Sequence, residues 1–119
     1  MKKERVVITG LGTINAVSGS APEFSAALKQ GVCGIRPLTV FDTTGYRTRT
    51  GGEVKNLVPA KMLPPEFTIK RMSRSDIMAM AAALEALSDA GLFPFPDDLR
   101  ENAGVRPQVI RERKKSRSA

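Results

Sequence analysis

The sequence has 119 residues, 41% hydrophobic and 26% charged, which suits one modest globular domain and is short for two. No apolar run approaches the roughly 20 residues that a membrane helix needs, and the N-terminus does not fit a signal peptide, so no membrane association is expected. The sequence has one cysteine, which excludes an internal disulfide and favours the reducing cytoplasm. With no histidine besides, it cannot supply the ligands of an ordinary zinc or iron site.

The first predicted elements are a strand and a helix. Residues 5–12, RVVITGLG, are a β-branched run that ends in glycines, and they predict a buried strand. Ser20 and Glu23 fit a capping box for a helix over residues 23–30, and Gly31 stands where that helix should end.

The middle of the chain predicts mainly loops. Residues 32–58 contain two short β-branched pieces, LTVF and GGEV, on either side of a turn-like sequence at residues 42–45. Residues 63–67, LPPEF, predict the start of another short helix after a proline stop.

The strongest predicted helix covers residues 74–90, with Ser73 or Ser75 as its cap and Gly91 as its end. One face is apolar at a spacing of three and four residues: Ile77, Met80, Ala81, Leu84, Leu87 and Ala90. The other faces are rich in alanine, which predicts burial on more than one side. Such a helix needs more protein around it than 119 residues easily supply.

The net charge of +7 is concentrated at the end of the sequence. Residues 106–119 hold six basic residues and one acidic residue, a net charge of +5, and show no periodicity, so we expect a disordered tail. A basic tail can bind phosphates weakly, which leaves a small nucleic-acid-associated protein as one alternative. We do not expect nucleic acid to be the partner, because the tail has no interleaved aromatic residues and no groove-reading helix.

Two short motifs are candidates for functional sites. Gly10 and Gly12 follow the predicted strand as in dinucleotide-binding proteins, but Asn15 replaces the third glycine and the acidic residue after a second strand is missing, so a tight turn is expected instead. Cys33 has no histidine to activate it and follows a helix C-terminus, where the helix dipole disfavours a thiolate. We therefore predict a packing or loop thiol, with no catalytic residue, cofactor site or metal site in the chain.

Three blocks of the sequence, taken in order, resemble the N-terminal region of the β-ketoacyl-acyl carrier protein synthases, especially the synthase II type and the polyketide ketosynthases. The blocks are RVVITGLGTINAVSGSAPEF, GVCGIRPLTVFDTTGYRTRTGGEV and IKRMSRSDIMAMAAALEALSDAGL. The resemblance implies an α/β chain that forms an incomplete N-terminal portion of the thiolase-like αβαβα fold. Residues 1–105 are identified as the ketosynthase portion, and residues 106–119 as the basic tail.

The family catalyses decarboxylative Claisen condensation with a cysteine late in the first half of the fold and two histidines from the second half. Cys33 stands where relatives commonly have serine or another small residue, and the histidines have no counterpart. The resemblance therefore implies a fragment of a 3-oxoacyl-acyl carrier protein synthase, inactive alone, from fatty acid or polyketide biosynthesis. Two other functions remain open, a carrier-protein docking module and a subunit that pairs with a separate catalytic chain.

The point in the sequence where the resemblance stops leads to a further prediction. Relatives continue after Gly104 and Val105 with a strand and a glycine-rich segment, whereas this sequence changes abruptly to arginine-rich residues. Such a change is typical of a truncated or frameshifted gene product.

The resemblance also implies one binding site. Lys70 and Arg71 fall where family members have basic residues that help to dock the acidic acyl carrier protein, and Arg74 is adjacent. The alternative is that these side chains only solvate the start of a helix, since exposed lysine and arginine are common everywhere. Family members are homodimers, and whether this chain dimerises is left open.

Overall fold

The computed structural model describes residues 3–104, so the predicted tail at 106–119 and the boundary at 105 lie outside the described residues. The helices are α1 (Ala21–Lys29), α2 (Pro59–Met62) and α3 (Arg74–Asp89), with 3-10 turns at Ile69–Arg71 and Asp97–Asn102. Strands β1 (Ile35–Pro37) and β2 (Thr50–Gly52) form an antiparallel pair. In this part of the chain no helix is both long enough and apolar enough to cross a membrane.

Helix α1 begins and ends where its capping residues predict. The Ser20 hydroxyl oxygen accepts the backbone N–H of Glu23 at 3.4 Å, and Gly31, with φ of +67°, terminates the helix in the left-handed region. The Glu23 carboxylate accepts the N–H of Gly19 at 2.9 Å, one residue before the partner that a capping box uses. The predicted helix is confirmed, although it begins two residues earlier and ends one residue earlier than predicted.

The prediction of a buried strand at residues 5–12 is wrong for the described structure. No strand is assigned there, residues 5–9 make no backbone hydrogen bond within the described range, and Val6, Val7 and Ile8 are 96%, 71% and 82% exposed. A strand needs a neighbour for its backbone groups. The strands described between residues 3 and 104 pair only with each other, so this β-branched run has no sheet to join.

The two short strands lie near, but not at, their predicted positions. Ile35 pairs with Gly52 and Pro37 with Thr50, so β1 precedes the predicted LTVF piece. The ladder ends early because Thr39 donates both its amide and its hydroxyl to the Glu53 carboxylate, each at 2.9 Å, instead of joining a backbone ladder. The predicted turn follows, where the Asp42 carboxylate accepts the amide of Thr44 at 2.9 Å.

The short helix predicted to start at residues 63–67 is wrong, because α2 lies before the two prolines. Leu63 ends α2 in extended conformation, with φ of −118° and ψ of 143°, as expected of a residue that precedes proline. Pro59 occupies the first turn of α2, where its missing N–H costs nothing. Residues 64–67 form a turn closed by the bond from the Phe67 amide to the Pro64 carbonyl at 3.2 Å.

Helix α3 confirms the strongest prediction to within one residue. Ser73 and Asp76 form a complete capping box, and Gly91 closes the C-terminal end with φ of +70°. Ile77 is the buried residue of the predicted apolar face, and the other members of that face are half-buried. Among the described residues the buried hydrophobic side chains are Ala27, Leu63 and Ile77, so the apolar core is small.

Candidate functional site

The segment of residues 10–13 crosses α3 and is held there by two carboxylates. Asp89 Oδ2 accepts the backbone N–H of Leu11 at 2.9 Å, and Glu85 Oε2 accepts that of Thr13 at 2.8 Å. Carboxylates four residues apart on a helix are separated by about 6 Å along its axis, and amides two residues apart on an extended chain by about 6.6 Å. The two spacings match, so α3 binds the segment as a neighbouring strand would.

Gly10 and Gly12 allow this segment to approach the helix backbone. A Cβ atom on Gly10 would overlap the Ala86 carbonyl oxygen, and one on Gly12 would overlap that of Ala82. Neither glycine has positive φ and no turn is assigned there, so the predicted tight turn is wrong. The Gly-x-Gly pattern serves close packing on α3, and it also explains the second, alanine-rich face of that helix.

Glu85 connects this segment to α1. Its second oxygen, Oε1, accepts the backbone N–H of Ala21, the first residue of α1, at 2.7 Å. A carboxylate at a helix N-terminus is favourable because the first amides there have no partner inside the helix. One side chain of α3 therefore fixes both the 10–13 segment and α1, a role that the sequence analysis did not assign.

A cleft of about 470 Å³ opens between the loop at residues 14–19, the β-hairpin and α2. Asn15 shapes the loop, because its side-chain oxygen accepts the amides of Val17 and Ser18 at 3.0 and 3.1 Å. The charged lining is mixed, with two basic and two acidic residues: Arg36, Lys55, Glu23 and Glu53. The run of small, turn-forming residues after Asn15 is the one sequence signal that could have indicated this cleft.

The three predicted docking residues lie together at the start of α3. Lys70 and Arg71 occupy the 3-10 turn that leads into the helix, and both are exposed. Neither forms an ion pair within residues 3–104. Arg74 is also exposed, but its guanidinium Nη2 donates a hydrogen bond to the Val54 carbonyl oxygen.

The charges around Arg74 include one acidic group. Hydrogen bonds from Thr39, led by its backbone amide, hold the pKa of the Glu53 carboxyl below its usual value, and the charges of Lys55 and Arg74 lower it further against an opposing desolvation. Glu53 is therefore ionised at neutral pH. Both of its oxygens accept hydrogen bonds from Thr39, and no ion pair between Glu53 and Lys55 forms within residues 3–104.

Cys33 is exposed in the loop after α1, as predicted for a loop thiol. No histidine exists in the 119 residues to serve as its base. Across residues 3–104, no group of three or more His, Cys, Asp or Glu side chains is placed to hold a metal ion.

Comparison with known proteins places these elements in a family. The family model described as "Beta-ketoacyl synthase, N-terminal domain" matches residues 3–109. The 3-oxoacyl-[acyl-carrier-protein] synthase 2 of Coxiella burnetii is 35% identical over 95 residues, which are 77% of this chain and 22% of that protein. The tetracenomycin polyketide synthase ketoacyl synthase beta subunit of Streptomyces glaucescens is 39% identical over 93 residues, 78% of this chain and 22% of that protein.

A solved structure supports the same family assignment. The ishigamide ketosynthase/chain length factor is 37% identical and superposes with a TM-score of 0.67, over 72% of this chain and 21% of that chain. The predicted fold class is confirmed: this is an α/β protein of the ketosynthase type, an incomplete portion of a thiolase-like fold. The chain belongs to the β-ketoacyl synthase family and corresponds to its N-terminal domain. It spans about a fifth of the length of the relatives it matches, and those relatives are 3-oxoacyl-acyl carrier protein synthases and polyketide ketosynthases.

Proposed function

We propose that this chain forms the N-terminal part of a 3-oxoacyl-acyl carrier protein synthase and binds the acyl carrier protein of fatty acid or polyketide biosynthesis in the cytoplasm. The observation that carries the proposal is the pair Lys70 and Arg71, two adjacent exposed cations on one turn without an ion-pair partner in the described residues. Carrier proteins of this pathway are acidic, so the attraction is electrostatic and weakens as salt screens it.

The condensation itself requires groups that these 119 residues do not contain. The sequence holds one cysteine and no histidine, so neither a cysteine with an imidazole partner nor a histidine oxyanion site can be assembled from it. The nucleophile and the oxyanion donors must come from other residues, either of a longer polypeptide or of a separate subunit. This chain then contributes scaffold and docking surface.

The test is binding of an acyl carrier protein to the full chain by titration calorimetry. The variant Lys70→Glu/Arg71→Glu should weaken binding by roughly tenfold or more, because two attractive charges become repulsive. The matched control Lys114→Glu/Lys115→Glu makes the same change in net charge outside the described residues. Equal weakening by the two variants would mean that net charge, and not this turn, attracts the carrier.

A second role, as a subunit that pairs with a separate catalytic chain, is favoured by the exposed side chains of Val6, Val7 and Ile8. Contiguous exposed apolar residues of this kind mark contact surfaces. Co-expression with a polypeptide that carries the rest of a ketosynthase would test this role. A stable complex that Ile8→Lys dissolves is the expected result, and two chains that purify separately would contradict it.

A further inference from the structure

The contact between Arg74 and Val54 distinguishes Arg74 from the other basic residues near α3. Arg74 is the first residue of α3, and its guanidinium reaches back across 20 positions of sequence to the Val54 carbonyl, two residues beyond β2. A guanidinium that donates to a backbone carbonyl holds that backbone in place. Arg74 therefore braces the segment after β2 against the start of α3.

The residue that this brace positions is Lys55, the next in the chain. Lys55 is exposed, and it forms neither a hydrogen bond nor an ion pair within the described residues. Lys55 and Arg74 both lie near the Glu53 carboxyl, since the charge of each lowers its pKa. Since Lys55 is exposed and forms no ion pair within the described residues, its ammonium is available to a partner.

The surrounding charge favours an acidic partner. Residues 36–74 contain eight basic and three acidic residues, whereas residues 75–104 contain one basic and six acidic residues. Arg71 and Arg74 are three positions apart, at most about 11 Å along the chain. The contact of Arg74 with Val54 brings the segment after β2 to the start of α3, so one acidic partner can contact both.

We propose that Lys55 is a further contact residue for the acidic acyl carrier protein and that Arg74 is a positioning residue that holds Lys55 in this surface. The proposal rests on the carrier-binding function proposed above. It extends that surface from the turn before α3 to the segment after β2, and it removes Arg74 from the set of direct contacts.

The experiment measures binding of an acidic acyl carrier protein to the full chain at low and high salt. Lys55→Glu should weaken binding roughly fivefold at low salt and less at high salt. The matched control is Lys29→Glu, which makes the same charge change on the exposed last turn of α1 and should change binding by less than about twofold. Far-UV circular dichroism of each variant verifies that the helices are retained.

A double-mutant cycle tests the positioning role of Arg74. In an Arg74→Gln background, Lys55→Glu should lose most of its effect, because Lys55 is no longer held in the surface. Additive effects of the two substitutions would overturn the positioning role, since Arg74 would then act on the carrier by itself.

The outcomes separate this inference from the function on which it rests. If the unaltered chain does not bind carrier protein, both are overturned. If Lys70→Glu/Arg71→Glu weakens binding while Lys55→Glu behaves like Lys29→Glu, carrier binding stands and the role of Lys55 is overturned.

Discussion

Asp89 accepts a hydrogen bond from the backbone amide of Leu11 across 78 positions of sequence, and it does so next to Glu85, which accepts the amide of Thr13. Backbone amides are usually satisfied by other backbone groups, in helices or sheets. Here two side chains of a helix replace the neighbouring strand. The position of the N-terminal segment thus depends on two carboxylates rather than on a continuous ladder.

Glu85→Gln should break one of the two hydrogen bonds that this carboxylate accepts. The glutamine amide keeps one acceptor oxygen and turns an N–H group toward the other backbone amide, so one of the two bonds is lost. An unsatisfied buried donor costs about 1–3 kcal/mol, and the cost here should lie at or below the lower end of that range because Thr13 and Ala21 are only half-buried. Faster hydrogen exchange at the amide of Thr13 or of Ala21 would register the lost bond. Glu101→Gln is the control, because Glu101 is exposed and should leave both exchange rates unchanged.

Gly12→Ala should displace the same segment by a different route. The new methyl group meets the Ala82 backbone, which cannot move without disturbing α3, and overpacking of this kind costs about 1–3 kcal/mol. Gly104→Ala is the matched control, because nothing lies within 4 Å of its added carbon. Thermal unfolding compares the two, and equal midpoints would contradict the close approach of residues 10–13 to the helix.

The capping box of α3 predicts a loss of helix stability in acid. Hydrogen bonds from Ser73, first from its amide and then from its hydroxyl, hold the pKa of the Asp76 carboxyl below the ordinary value of 3.8. A depressed folded-state pKa gives stability that is complete above the unfolded value and is lost as the pH falls through the folded value. Helix content measured by circular dichroism should therefore fall below about pH 4.

The variant Asp76→Asn isolates this contribution. Its helix should be weaker than that of the unaltered chain at neutral pH, and it should lose less helix on acidification, because the titrating group is gone. If both proteins lose helix over the same pH range and to the same extent, other carboxyl groups control the transition.

Ile8→Lys should reduce self-association. Residues 5–9 combine β-branched side chains with backbone groups that have no partner in the described residues, and such segments pair with other chains. Light scattering of dilute samples should show fewer aggregates for this variant than for Val40→Lys, which places the same charge at an exposed loop position.

With only three buried hydrophobic residues described, we also expect unfolding followed by different probes to give different midpoints.

The isolated chain should not condense acyl and malonyl carrier proteins. Cys33 is an exposed loop thiol, and the sequence has no histidine to activate it or to stabilise an oxyanion. Product formation above background that disappears in Cys33→Ala would contradict this expectation, because Cys33 would then have to be the nucleophile.

The elements that could be predicted from sequence are those with local determinants. Ser20, Ser73, Gly31 and Gly91 begin and end α1 and α3 within one turn of their own positions, so the capping pattern located both helices. The environment of residues 5–12 could not be predicted in this way. Its partners, Glu85 and Asp89, are more than 70 positions away, and a β-branched run looks the same whether or not a neighbouring strand is present.

The same distinction between local features and long-range contacts applies to the candidate site. The grouping of Lys70 and Arg71 follows from their adjacency in sequence and was predicted. The contact of Arg74 with Val54 depends on how the hairpin packs against α3, so only the structure distinguishes this arginine from its neighbours. The cleft beside the hairpin was missed for the same reason, because its walls come from three separate parts of the chain.

The attachment of residues 10–21 to α3 also determines when this end of the protein can fold during synthesis. The amides of Leu11, Thr13 and Ala21 leave the ribosome first, but the carboxylates that accept them are translated more than 60 residues later. At roughly 5–20 residues per second, that interval lasts from about 3 to about 16 seconds. Throughout that interval the β-branched N-terminus is free to bind chaperones or other nascent chains, which have several seconds to act before α3 is available.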